Sequence, residues 1–234
     1  MATEKNKRKV AAKAVLATVV SIFFAAYAEG AGITLTSSSS SGDLTLSQAL
    51  ANAGASISDL TGNVYDDIVV AGDGRILFDT PISTYAGTVH VSSGATAVVK
   101  VVGGLGANSG KVYVADGGAL IPDATGLATD TFTMPKAEVH IVGSGPDGVG
   151  AVVATADKNQ RNGMWGGKYV LDGDALIATR TTAVVDFPSN TAPASVVNLD
   201  MDRHTLTIAP ARIPTFLPDW SSRMPGISLS RMRN

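Results

Sequence analysis

The chain has 234 residues, a formal net charge of −2 and no cysteine. That excludes a disulfide framework, a thiolate zinc site and a cysteine nucleophile. Aromatic residues make up only 6% of the chain, a balance that suits narrow stacked β layers better than one bulky core.

Residues 1–28 stand apart from the rest. Lys5, Lys7, Arg8, Lys9 and Lys13 form a basic start, the stretch from Ala14 to Ala28 is apolar and uncharged, and Ala26-Tyr27-Ala28 has the small-x-small pattern of a cleavage site. This order predicts a secretory signal peptide, its apolar run being shorter than the roughly 20 residues a spanning helix requires. Cleavage after residue 28 would leave a net charge of −6, with sixteen Asp between Glu29 and Ile208. Asp in such number points to turns, where its short side chain bonds the local backbone. The negative balance argues against nucleic acid as a partner.

Residues 29–43, with the serine run that reaches Gly42, read as a flexible linker. Next, Thr45 with Gln48 fits a capping box. Leu46, Ala49, Leu50 and Ala53 form one apolar stripe, and Gly54 is a natural stop, so a short helix is predicted there.

Beyond the helix the period becomes that of strands and the chain begins to repeat. Lys111 to Ile121 aligns without a gap on Gly167 to Ile177, and Asp67 to Leu77, Thr88 to Ala95 and Glu138 to Gly143 have the same shape. Each reads as a strand, a tight Asp/Gly or Ser/Gly turn and a second strand. The last strand residue before each turn falls at Val70, Val91, Val114, Ile141 and Val170, in steps of 21, 23, 27 and 29 residues. Coils of a parallel solenoid need about 20–30 residues each. A β-sandwich, with turn signals every 8–12 residues, is the alternative.

The Leu-x-Gln-Ala-Leu-Ala-Asn-Ala helix followed by Asp67 to Gly74 resembles the opening of right-handed parallel β-helix proteins of the pectin-lyase-like class. Leu199 to Ile208 is similar to a rung of that class and of autotransporter-type surface passengers. The resemblance covers residues 44–208. It implies an all-β, right-handed parallel β-helix with a short N-terminal capping helix, and it leaves activity open. From residue 209 to 234 the pattern gives way to an irregular Pro/Arg-rich tail that offers no cover for a solenoid end. The chain is therefore expected to be truncated or frameshifted near Pro210.

Chemistry-bearing residues are weighed against their structural roles. Gly143-Ser144-Gly145-Pro146-Asp147-Gly148 follows a strand as a dinucleotide-binding turn would, but no βαβα pattern surrounds it, and it reads as a loop. Asp66, Asp67, Asp73, Asp116, Asp172 and Asp174, with Lys111, Lys168 and Arg180, are the groups that polysaccharide cleavage would draw on. Stacking in register would set Asp73, Asp116 and Asp172 in one turn column, each bonding its own turn. His90 and His140 occupy equivalent outward positions and His204 stands alone. These are two potential imidazole ligands, too few for a metal. Trp165 and Trp220, with Tyr113 and Tyr169 in matched rungs, read as ladder packing or as a sugar platform.

The sequence therefore predicts an exported or cell-surface scaffold with a structural or adhesive role, without catalytic, cofactor or metal residues. Its expected partner is a host or environmental polysaccharide or a cell-surface component. A polysaccharide lyase or hydrolase of the same architecture is one alternative, and a carbohydrate-binding β-sandwich module is the other.

Overall fold

A computed structural model of the chain describes residues 31–107, 109–127, 131–133, 138–156, 161–163, 168–181, 184–186, 199–210 and 227–229. The leader region, Trp165 and Trp220 lie outside these residues. Among them, no helix is long and apolar enough to cross a membrane.

The strands build two parallel ladders that share one core. The first contains β1 (Gly32–Ser37), β3 (Asp67–Gly72), β5 (Thr88–Val91), β7 (Lys111–Val114), β10 (Glu138–Gly143), the N-terminal half of β13 (Lys168–Thr181), and β15 (Leu199–Asp200). The second contains β2 (Leu44–Thr45), β4 (Arg75–Phe78), β6 (Thr96–Val99), β8 (Ala119–Pro122), β11 (Val152–Ala156), the C-terminal half of β13, and β16 (Leu206–Pro210). A third, three-stranded parallel sheet joins β9 (Thr131–Thr133), β12 (Arg161–Gly163) and β14 (Val184–Asp186) in the later coils. Among the described residues, every strand pairing is parallel except that of β16 with β17 (Ile227–Leu229). The chain is thus a nearly closed parallel β-solenoid, not a sandwich, because its neighbours pair at the coil period rather than as hairpins.

The register gives the coil length directly. Gly32 pairs with Asp67, Asp67 with Thr88, Val89 with Val112, Val112 with Val139, Val139 with Tyr169, and Tyr169 with Leu199. Inward positions therefore stack into continuous apolar columns. Leu35, Val70, Val91, Val114, Ile141 and Leu171 form one such column, all buried. Ile76, Ala97, Leu120, Val152 and Ile177 form another across the core in the second ladder. Small and branched side chains at a spacing of about 4.8 Å fill such a column without voids.

The last rung departs from the sequence pattern. Ile141 pairs with Leu171, not Val170, so the last step is 30 residues rather than 29, and the gapless alignment is one residue out of register. The cause is local. Asp172-Gly173-Asp174 forms no tight turn, because β13 runs unbroken from one ladder into the other. Two extra residues bulge between the Ile141–Leu171 and Gly143–Ala175 pairs. In earlier coils a left-handed glycine turns the corner instead: Gly72, Gly94, Gly117 and Gly143 all have φ between 76° and 97°.

The predicted helix is present as α1 (Leu46–Asn52), with the Thr45/Gln48 capping box formed and Leu46, Ala49 and Leu50 buried at the first coil. A second short helix, α2 (Ile57–Thr61), follows it. Its start is fixed by the Asp59 carboxylate, which accepts from the Ser56 amide at 2.8 Å and hydroxyl at 2.7 Å. The Ser56-x-x-Asp59 pattern is the sequence signal for this second helix, which was not among the predicted elements.

The solenoid also begins earlier than expected. Residues assigned to the linker form β1 and a single 3-10 turn (Ser39–Ser41), whose Ser39 amide and hydroxyl both bond the Asp73 carboxylate. At the other end, β16 reaches Pro210 and β17 pairs with it inside the segment read as irregular.

Candidate functional site

Alternation along the strands puts every second residue of the first ladder on its outer face, and the parallel register stacks these residues by coil. One column runs Thr34, Val69, His90, Tyr113, His140, Val170, Asp200. The adjacent column runs Asp67, Thr88, Lys111, Glu138, Lys168. The convergent polar surface of the described residues lies here.

Its centre is a stack of three rings. His90 and Tyr113 lie with centroids 5.2 Å apart and planes 10° from parallel, and Tyr113 and His140 lie at 4.3 Å and 23°. The rings use their faces on one another, and the edge nitrogens of the two histidines are turned toward carboxylates. The aromatic side chains of this ladder thus pack along it rather than offering an open face to a sugar. Tyr169 does not join them. With the register one residue out of the expected line, it points inward and is buried, and burial pushes its hydroxyl well above the ordinary tyrosine value.

Ion pairs between coils surround the stack. Lys111 meets Glu138 at 2.6 Å and Lys168 meets Asp200 at 2.6 Å, each bridging neighbouring rungs. His140 is held from both sides, its Nε2 3.1 Å from Glu138 and its Nδ1 3.0 Å from Asp172. His90 lies 3.7 Å from Asp67.

The electrostatics follow from these contacts. The hydrogen bond from Lys111, then that from His140, holds Glu138 below the usual carboxylate range. Lys168 does the same to Asp200. Both lysines are raised in turn by their partner carboxylates. Burial pulls His90 down, with Asp67 working the other way.

The remaining residues singled out by sequence are dispersed. Asp73, expected to bond its own turn, instead fastens the preceding coil through Ser39, which holds its carboxyl low. Asp172 leaves the supposed turn column for His140. Asp174 accepts from the Thr205 amide at 2.8 Å and stands 4.0 Å from His204.

Gly143 to Gly148 forms the connection between β10 and β11, with a 3-10 turn at Pro146–Gly148. A strand rather than a helix follows it, so no helix N-terminus faces the loop as a dinucleotide-binding turn requires. Among the described residues, no group of three or more His, Asp or Glu side chains is arranged to hold a metal ion.

Glu138 and Asp200 are the members of the site that sequence analysis did not single out. The signal was present. Once coils are stacked at 27 and 30 residues, Glu138 falls beside Lys111 and Lys168.

No family model, curated protein or solved structure matches this chain.

Proposed function

We propose that the protein is an exported solenoid scaffold with a structural or adhesive role, and that the outer face of its first ladder is the contact surface. The observation that carries this reading is the pairing of the charged groups on that face. Glu138 and Asp200 are held as anions and Lys111 and Lys168 as cations, each by a partner on the next coil. A general acid or base works best when its proton affinity is brought toward the ambient pH. These four groups are moved the opposite way, which suits a fixed polar surface for hydrogen bonding to a polysaccharide or a cell-surface component.

The leader-like residues 1–28 support export, and the resemblance to pectin-lyase-like and autotransporter passenger rungs supports a surface location. A polysaccharide lyase or hydrolase of the same architecture is the second reading. It is favoured by the gathering of Glu138, Asp172 and Asp200 beside Lys111 and Lys168 on one lateral face.

One experiment separates the two. The secreted protein is incubated with a panel of insoluble acidic and neutral polysaccharides, and both the bound fraction and newly formed chain ends are measured. The scaffold reading expects retention that falls at least tenfold in Lys111→Ala/Lys168→Ala, with no new chain ends. Chain ends that appear with wild type and vanish with Glu138→Gln would replace it by the enzyme reading, and a protein that neither binds nor cleaves any of the panel would remove the enzyme reading and the polysaccharide as partner.

A further inference from the structure

In β13, residues 172–174 bulge out between ladder pairs and are held by side-chain contacts instead. Asp174 Oδ1 accepts from the Thr205 amide at 2.8 Å. The two carboxylate oxygens of Asp172 lie 3.0 and 3.2 Å from His140 Nδ1 on the preceding coil. Among the described residues, His140 is the one side chain that meets Asp172. The other nitrogen of the same ring, Nε2, lies 3.1 Å from Glu138. His140 therefore faces a carboxylate at each of its nitrogens. A carboxylate only accepts, and a neutral imidazole has one N–H to give, whereas an imidazolium has two. The protonated ring satisfies both neighbours, but in the neutral ring a lone pair points at one of them.

We propose that His140 is a proton-operated latch: its imidazolium pins the bulge at residues 172–174 to the preceding coil, and loss of the proton frees it. The groups packed on the ring agree with this. On its own strand stands Glu138, which Lys111 of β7 also binds at 2.6 Å and beside which Lys168 of β13 lies in register. Tyr113 of β7 stacks on the ring face at 4.3 Å and favours a cation there. Behind Tyr113, at 5.2 Å, His90 has its own partner in Asp67. From β13 come Asp172 and the uncharged Val170. When the ring is neutral, the bulge is the side that gives way. Glu138 sits in a strand paired on both edges and keeps its bond to Lys111. Asp172 is half exposed, lies outside the ladder pairs and can turn to water. Of the two side-chain holds on the bulge only that of Asp174 then remains, and the segment opens locally. Acidification through the histidine range closes the latch and alkalinisation opens it. The latch is independent of what the outer face binds.

The test is a pH titration of the purified, isotope-labelled protein by nuclear magnetic resonance, followed at the histidine rings and at the Gly173 amide. Between about pH 5 and pH 8, the Gly173 resonance is expected to move with the same midpoint as the His140 ring. Its hydrogen exchange, corrected for the intrinsic pH dependence, should quicken about tenfold or more, the weight of one hydrogen bond between charged groups. His140→Gln and Asp172→Asn should each abolish this response. His204 lies 4.0 Å from Asp174 and titrates in the same range, so His204→Gln is the control and should leave the response intact. Should His140→Gln fail to fold, Asp172→Asn and the shared midpoint in the wild type still decide the matter. A His140 ring that does not titrate in this range, or a Gly173 amide that stays still while it does, would overturn the proposal. So would a response that survives His140→Gln or Asp172→Asn, or one that disappears in His204→Gln.

Discussion

Tyr85 shows how a single polar atom is accommodated in a core of small side chains. Its ring is fully buried, and its hydroxyl lies 3.1 Å from both the Asp66 and the Thr88 carbonyl oxygens, across the corner where one coil begins. Burial, with the Asp67 and Asp66 charges added, pushes the hydroxyl far above its ordinary value, so it remains a donor throughout the accessible pH range. Tyr85→Phe keeps the packing and removes the donor. It should cost about 1 kcal/mol, read as a lower urea midpoint at unchanged slope. Gly72 is a residue of the opposite kind. It has φ 97°, and a Cβ there would overlap the Ser37 carbonyl oxygen of the preceding coil. Gly72→Ala therefore forces the first two coils apart, and a loss of about 3 kcal/mol or more is expected from combined backbone strain and lost ladder bonds, measured by the same denaturation. The sequence marked Gly72 as a turn residue but held no sign of the neighbouring backbone that makes it necessary, since that backbone lies 35 residues away.

The elements set by short-range chemistry were the readable ones. Thr45 and Gln48 bond reciprocally at the start of α1, Thr45 Oγ1 accepting from the Gln48 amide at 3.2 Å and Gln48 Oε1 from the Thr45 amide at 2.9 Å. Both partners lie within one turn, so the pattern was visible in the residues alone. Thr45→Ala should lower stability by about 1 kcal/mol, while Thr45→Ser should retain most of it, as comparison of thermal midpoints will show. The strands β3, β5 and β7 were legible for a similar reason, since alternation and a corner glycine are both local. The rung at β13 was not. Asp172-Gly173-Asp174 looks like the turns at residues 116–118 and 72–74, yet Asp172 bonds His140 and Asp174 bonds the Thr205 amide, which draws the chain out into a bulged strand. Contacts made 31 and 32 residues away outweighed the local turn preference and shifted the register by one, which is also why Tyr113 and Tyr169 were wrongly paired.

At the scale of the molecule, successive coils are held together by stacked apolar columns inside and by ion pairs outside. Lys100 meets Asp123 at 2.8 Å beside the second ladder, adding to Lys111–Glu138 and Lys168–Asp200 on the first. Burial opposes the charge on Asp123, but hydrogen bonds from Lys100 and Thr125 outweigh it and leave the group below its ordinary value. A carboxylate whose folded value is depressed binds fewer protons in the folded chain than in the unfolded one. Its contribution is in place above the unfolded value and is lost as the pH falls through the folded one. The midpoint of thermal unfolding should accordingly hold near neutrality and drop through the acid carboxylate range, and Lys100→Met should flatten that drop. An acid limb that Lys100→Met leaves unchanged would show that Asp123 plays no part in it. The outer face was only half legible in the sequence. His90, His140, Lys111 and Lys168 could be singled out as residue types, whereas their union with Glu138 and Asp200 depends on how many residues each coil holds, which only the three-dimensional register fixes.

That register is the claim on which the rest depends, and the absence of native cysteine makes it directly measurable. In the solenoid, His140 and Val170 are paired neighbours on adjacent coils. His140→Cys/Val170→Cys should therefore close an internal disulfide on mild oxidation, as paired Cα atoms lie within bridging distance, while Val170→Cys/Leu176→Cys should remain reduced. If the second pair closes and the first does not, Asp172-Gly173-Asp174 is the tip of an antiparallel hairpin, and the parallel solenoid with its outer face is wrong.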